Sequence, residues 1–145
     1  MSRRSVYSNR DGYGLPKYRF MELYYFALQY KSWKSELSTL DGMRSVRYDT
    51  TGSSGNYGDG QVFWIAERRT RLEKKISLIE QCARAAGSIG QGYDISRFIL
   101  LGVTDAGATY EHMYACLDIP CGKNTYYKFR KIFYFLLDKE LSEIE

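Results

Sequence analysis

The chain has 145 residues, 44% apolar and 16% aromatic, with three cysteines and a formal charge of +4. That length suits one domain, or one small domain plus an extension, and the composition excludes both a disordered chain and a disulfide-stapled scaffold. No apolar run approaches the roughly 18 residues of a membrane span, and an odd cysteine count without a signal peptide points to a reducing cytosol.

Residues 1–16 are polar, glycine-spotted and carry Arg3, Arg4 and Arg10, so they read as a flexible basic arm. Pro16 suits a first helical turn. From there the spacing of Phe26, Tyr30, Trp33, Leu37 and Leu40 predicts a helix with a heptad stripe, stopped by Asp41-Gly42. Residues 41–60 hold five glycines and read as a long connection, mobile or functional, with a positive edge at Arg44 and Arg47. Ile65, Arg69, Leu72, Ile76, Ile79, Ala83 and Ala86 then repeat at alternating four and three residues, predicting the longest helix, with Gly87 as its C-cap. The two helices, each about 36–39 Å long at 1.5 Å per residue, are expected to form an antiparallel hairpin over residues 17–87. Trp33 and the run Leu23-Tyr24-Tyr25-Phe26 offer more apolar surface than one partner helix covers. A homodimer, a partner protein or the C-terminal domain would each cover it.

Residues 88–93 read as a hinge, opening a second domain over 88–145. Asp94 is the expected N-cap of a short apolar helix ending at Gly102. Thr109 caps the next helix, and Glu111 in its first turn suits the helix dipole. That helix runs from Tyr110 to about Leu117, with Met113, Cys116 and Leu117 as its inner face. Asp118 starts a turn, Ile119 plugs it, and Pro120 and Gly122 break the backbone before a second helix begins near Lys123. The expected inner face of this helix is Tyr126, Phe129, Ile132, Phe133, Leu136 and Leu137. The expected outer face is Lys123, Asn124, Tyr127, Lys128, Arg130, Lys131 and Tyr134. Periodicity of strands is absent, and the fold class is all-α: a long helical hairpin followed by a small helix-turn-helix domain.

A helix-turn-helix presents the start of its second helix to base edges and its flanks to phosphates. Asn124, Tyr127 and Lys128 are therefore the candidates for base contact, and Lys123, Thr125, Arg130 and Lys131 for phosphate contact. Residues 121–134 contain four basic side chains and no acid, a charge block that suits a polyanion. Contact with about six phosphates would give a slope near −5 in log affinity against log salt. Arg44, Arg47, Arg68, Arg71 and Lys75 form a candidate second basic surface.

Thr109–Lys131 resembles the helix-turn-helix of sigma-factor region four at Tyr110, Glu111, Leu117, Ile119 and Thr125, with a turn about two residues longer and Cys121-Gly122 replacing the usual Ser-Arg. The whole layout from about residue 17 is similar to the ArpU/RinA-like regulators of bacteriophages, with Tyr126–Tyr134 matching their recognition helix. The resemblance implies a late-gene activator that binds double-stranded promoter DNA in the bacterial host cytoplasm or nucleoid and contacts host RNA polymerase.

Other chemistry reads weakly. His112, Cys116, Cys121 and Cys82 would make four zinc ligands, yet there is no C-x-x-C pair and Cys116 falls on the expected core face. The glycines at 87, 90 and 92 lack the strand and the Lys-Ser/Thr of a phosphate loop. One histidine supports no catalytic constellation, so neither enzyme activity nor a cofactor or metal is expected. The alternative to a DNA-binding regulator is a phage protein-binding effector that inhibits or adapts a host nucleic-acid enzyme, or a DNA-packaging adaptor.

Overall fold

The computed structural model describes residues 7–49, 58–89 and 94–144, with side chains omitted at 43–49, 58, 59 and 61. Among the described residues all regular structure is helical: α1 (Lys17–Leu28), α2 (Tyr30–Asp49), α3 (Gly58–Gly87), α4 (Ser96–Thr104), α5 (Tyr110–Cys116) and α6 (Lys123–Ile144). The all-α expectation holds. No helix among the described residues is long and apolar enough to cross a membrane.

The chain divides into two compact units, and not at the expected hinge. One comprises Met1–Gln29 with Leu78–Glu145, and the other is Tyr30–Ser77. The first helix therefore belongs with the C-terminal elements rather than with a hairpin over 17–87. The physical reason is its buried face of Phe20, Leu23 and Ala27, which joins α4 and α6 in a three-helix core. From α4 that core takes Phe98, Ile99 and Val103, and from α6 Tyr126, Phe129, Ile132, Phe133 and Leu137. The expected single helix from Pro16 to Leu40 is in fact two, parted at Gln29, whose backbone N–H reaches the carbonyls of Ala27 and Phe26 in a tightened last turn.

Residues 7–16 are not a loose arm. Asn9 anchors a turn, accepting from Gly12 N at 3.1 Å through its carbonyl and from Gly14 N at 3.2 Å through its side chain. Gly12 sits at φ +82°, where a side chain would be strained. The segment is pinned to α6: Tyr13 packs edge-on to Phe135 at 5.1 Å, and the Lys131 ammonium donates to the Ser8 carbonyl at 2.7 Å and to Asp11 at 3.0 Å. Arg19 on α1 donates to Asp138 at 2.6 Å. Arg3 and Arg4 lie outside the described residues.

In the unit Tyr30–Ser77, α2 buries Tyr30, Trp33 and Leu40, while α3 buries Ile65, Leu72 and Ile76. The heptad seam of α3 is as expected, and its odd member Arg69 bridges Asp41 and Glu73. Gly42 does not stop α2, which runs on to Asp49. A helical glycine costs about 1 kcal/mol, too little to end a helix whose Asp41 is held across the pair. Residues 50–57 of the expected connection lie outside the described residues.

Two glycines expected to end helices do something else. Gly87 closes α3 without a positive φ, and a Cβ there would collide with the backbone nitrogen and Cα of Ser96. Gly87 is thus required by close approach, and its carbonyl accepts from Ile95 N at 3.1 Å. The hinge residues 90–93 lie outside the described residues. Gly102 does not end α4, which continues to Thr104; a Cβ there would collide with the Tyr126 hydroxyl. The N-cap of α4 is Ile95 rather than the expected Asp94, which sits one residue earlier and accepts from Ser96 N at 2.8 Å.

Tyr134, expected on the outer face of α6, is 0% exposed. Its ring lies edge-on to Phe20 at 5.0 Å, and burial pushes its phenol up to about 12. Its hydroxyl has no hydrogen-bond partner among the described residues. A buried hydroxyl left unpaired costs about 1–3 kcal/mol. Tyr134→Phe should therefore raise the midpoint of urea unfolding, by about 1 kcal/mol in stability. A lowered midpoint would show that the hydroxyl holds a partner.

Candidate nucleic-acid interface

The turn between α5 and α6 is built by a few buried side chains. Thr109 caps α5 in extended conformation, its Oγ1 accepting from His112 N at 3.2 Å. Tyr110 and Met113 form the inner face of this seven-residue helix. Cys116 and Leu117, expected inside, are exposed. Cys116 is the last residue of the helix and Leu117 its C-cap, and Asp118 then takes φ +53° and redirects the chain. Aspartate tolerates that left-handed region better than most residues. Ile119 then supplies the buried plug, as expected, 6% exposed and with its N–H toward the Met113 carbonyl at 3.4 Å. The positive φ falls at Asp118 and not at Gly122, a distinction that sequence does not reveal.

Tyr110 ties the turn to both helices. Its hydroxyl donates to the Cys121 carbonyl at 2.8 Å in a buried bond, and its ring stacks on Tyr126 at 5.8 Å. Tyr126 in turn fills the space that Gly102 leaves on α4. The first turns of α6 are therefore held by packing from beneath, and α6 begins at Lys123 as expected.

The sequence-derived contact residues separate into three groups. Asn124 and Lys128 are exposed, while Thr125, Tyr127 and Arg130 are half-buried; all five lie on the first two turns of α6. The Arg130 guanidinium lies 5.9 Å from the Tyr127 ring and 5.2 Å from that of Tyr134, an arrangement that holds a cation in place without neutralising it. Lys123 is engaged, its ammonium 2.7 Å from Glu111 across the turn. That hydrogen bond holds the Glu111 carboxyl below its ordinary value and raises the Lys123 ammonium. Lys131 leaves the set altogether. Only 6% exposed and committed to Asp11 and Ser8, it cannot meet a phosphate. The third turn of α6 passes under the N-terminal segment, which a helical wheel drawn for one buried stripe does not anticipate.

The second basic surface is likewise matched by acids. Glu36 receives Arg68 through two bonds, at 2.8 and 2.9 Å, and Glu67 receives Arg71 at 2.7 Å. Lys75 lies over the Trp33 ring at 5.1 Å. The Glu67–Arg71 pair was readable from its i,i+4 spacing; the Glu36–Arg68 pair, 32 residues apart, was not. The side chains of Arg44 and Arg47 lie outside the described residues.

Among the described residues, no group of three or more His, Cys, Asp or Glu is placed to hold a metal ion. Cys82 is buried, and desolvation, aided by Glu140, pushes its thiol up to about 12. No family model, curated protein or solved structure matches this chain.

Proposed function

We propose that this chain is a phage-type regulator of transcription that binds double-stranded DNA, with the start of α6 in the major groove. In this reading Asn124, Tyr127 and Lys128 face base edges, and Lys123, Thr125 and Arg130 face phosphates. Promoter binding as a late-gene activator, contact with host RNA polymerase and pairing with a second copy are further parts of the proposal. The observation that carries it is a contrast within α6: its first two turns keep polar and basic side chains outward, and from Lys131 to Tyr134 it is buried all round. A helix is firmly packed behind a solvated basic tip, as groove entry requires.

The test is titration of a labelled random-sequence duplex with the whole protein at several salt concentrations. With Lys128 and Arg130 as the remaining cations and Lys123 held by Glu111, log affinity should fall against log salt with a slope of about −2. Arg130→Glu should weaken binding to every sequence, and Asn124→Ala should relax preference at one base pair. Absence of binding at the lowest salt would remove this reading.

A second reading, a protein-binding effector, is favoured by one feature of the other unit. Val62, Phe63 and Trp64 at the start of α3 are 53%, 69% and 53% exposed. Consecutive large apolar side chains in water are unusual outside contact surfaces. Retention of a host protein by the whole chain, without DNA affinity, would support that reading.

A further inference from the structure

Among the described residues, one ion pair on the proposed DNA-facing edge joins two residues that a polyanion would treat oppositely. Lys123 and Glu111 meet at 2.7 Å, yet their side chains are 46% and 62% exposed. An exposed pair of this kind stabilises the fold little, so it can be opened at small cost. Lys128, one turn further along α6 and also exposed, has no acidic partner among the described residues. The two lysines are therefore not equivalent toward a phosphodiester. On DNA of no particular sequence, where it has no base to read, Lys128 can take a phosphate directly. Lys123 must first give up a carboxylate, which then stays beside the same phosphate.

We propose that Glu111 restrains sequence-independent DNA binding by occupying Lys123 in the free protein. The inference rests on the DNA-binding reading above. The exchange replaces Lys123–carboxylate by Lys123–phosphodiester and leaves Glu111 facing a negative backbone. Part of the counterion-release gain that a free lysine would contribute is lost in this way. The restraint acts on every sequence alike, because it involves only the backbone. It lowers occupancy of non-specific DNA and leaves base contacts at Asn124 and Lys128 untouched, so it raises the ratio of specific to non-specific binding.

Four proteins test this on the same random-sequence duplex at stepped salt: wild type, Glu111→Gln, Lys123→Gln and the double variant. Glu111→Gln should bind roughly three- to eightfold more tightly, with a salt slope steeper by about 0.9. Lys123→Gln alone should change affinity by less than about twofold, and in the double variant it should cancel the gain. Unchanged thermal melting in all four would confirm that the fold is intact, since neither side chain is buried. If wild type binds and Glu111→Gln binds no better, the restraint is refuted and DNA binding stands. If neither binds at the lowest salt, the DNA-binding reading falls and takes the restraint with it.

Discussion

Gly87→Ala should destabilise the protein by about 3 kcal/mol, seen as a lowered midpoint in urea or thermal unfolding. Two effects of opposite sign compete at this position. Alanine is the better helix former by about 1 kcal/mol, so propensity alone would have the variant gain stability. Against that, the added methyl meets the backbone nitrogen and Cα of Ser96, and a backbone cannot rotate away as a side-chain tip can. The end of α3 and the start of α4 would have to part, breaking the bond from Ile95 N to the Gly87 carbonyl. Overpacking against backbone exceeds the propensity term, which sets the sign. A neutral or stabilised Gly87→Ala variant would mean that the two segments are not in contact.

Lys131→Glu should cost about 3 kcal/mol or more at neutral pH, because it replaces the buried ammonium that holds Asp11 and the Ser8 carbonyl with a second carboxylate. Lys131→Met, which keeps the stem and drops the charge, should cost less. The pH dependence of the wild type identifies the partner. Burial by itself would raise the Asp11 carboxyl, but the hydrogen bond from Lys131, with help from Tyr13 N–H, outweighs it and holds the group below its ordinary value of 3.8. A carboxyl depressed in the folded state stabilises the protein above its unfolded value and loses that contribution as pH falls through the folded one. The stability gap between wild type and Lys131→Met should therefore be full at neutral pH and close in acid below 3.8. A gap independent of pH would mean that Lys131 acts through packing alone. Should the chain bind DNA as proposed, loss of affinity on charge reversal at Lys131 would report damage to the fold, and Lys128 and Arg130 are the informative positions.

Local rules located several elements well. Thr109 as a cap, Ile119 as a plug and Lys123 as a helix start each depend on the chemistry of a few adjacent residues, and each stands where expected. The seam from Ile65 to Ala86 depends on one period sustained over six intervals. The misplacements share a different cause. A two-faced wheel allows one buried stripe and so places Lys131 and Tyr134 outward, whereas α1 and the N-terminal segment cover a second stripe. A signal for this was present in Lys131-Ile132-Phe133-Tyr134-Phe135-Leu136-Leu137, which is apolar on every side after its first residue. A helix with that pattern is surrounded rather than laid on a surface. Local preference makes Gly42 and Gly102 helix stops, and tertiary contacts outweigh it. Nothing in the sequence marks the Arg19–Asp138 pair, whose members are 119 residues apart. The basic tip of the candidate interface was legible; the acids that engage part of it were not, except where they lie on the same helix.

The interleaving of the first unit from both ends of the chain bears on how the protein is made. α1 leaves the ribosome well before the residues that cover it, since Asp138 follows Arg19 by 119 positions. At about 5–20 residues per second, the Phe20, Leu23 and Ala27 face waits roughly 6–24 s for α6, the later of its two partners. Synthesis, not collapse, then sets the earliest moment at which the core closes. The unit Tyr30–Ser77 can pair its helices during that interval and so shorten the loop that remains to be closed. A polypeptide released before α6 is complete would carry an uncovered apolar helix, a target for chaperones and proteases, and only the finished chain would hide it.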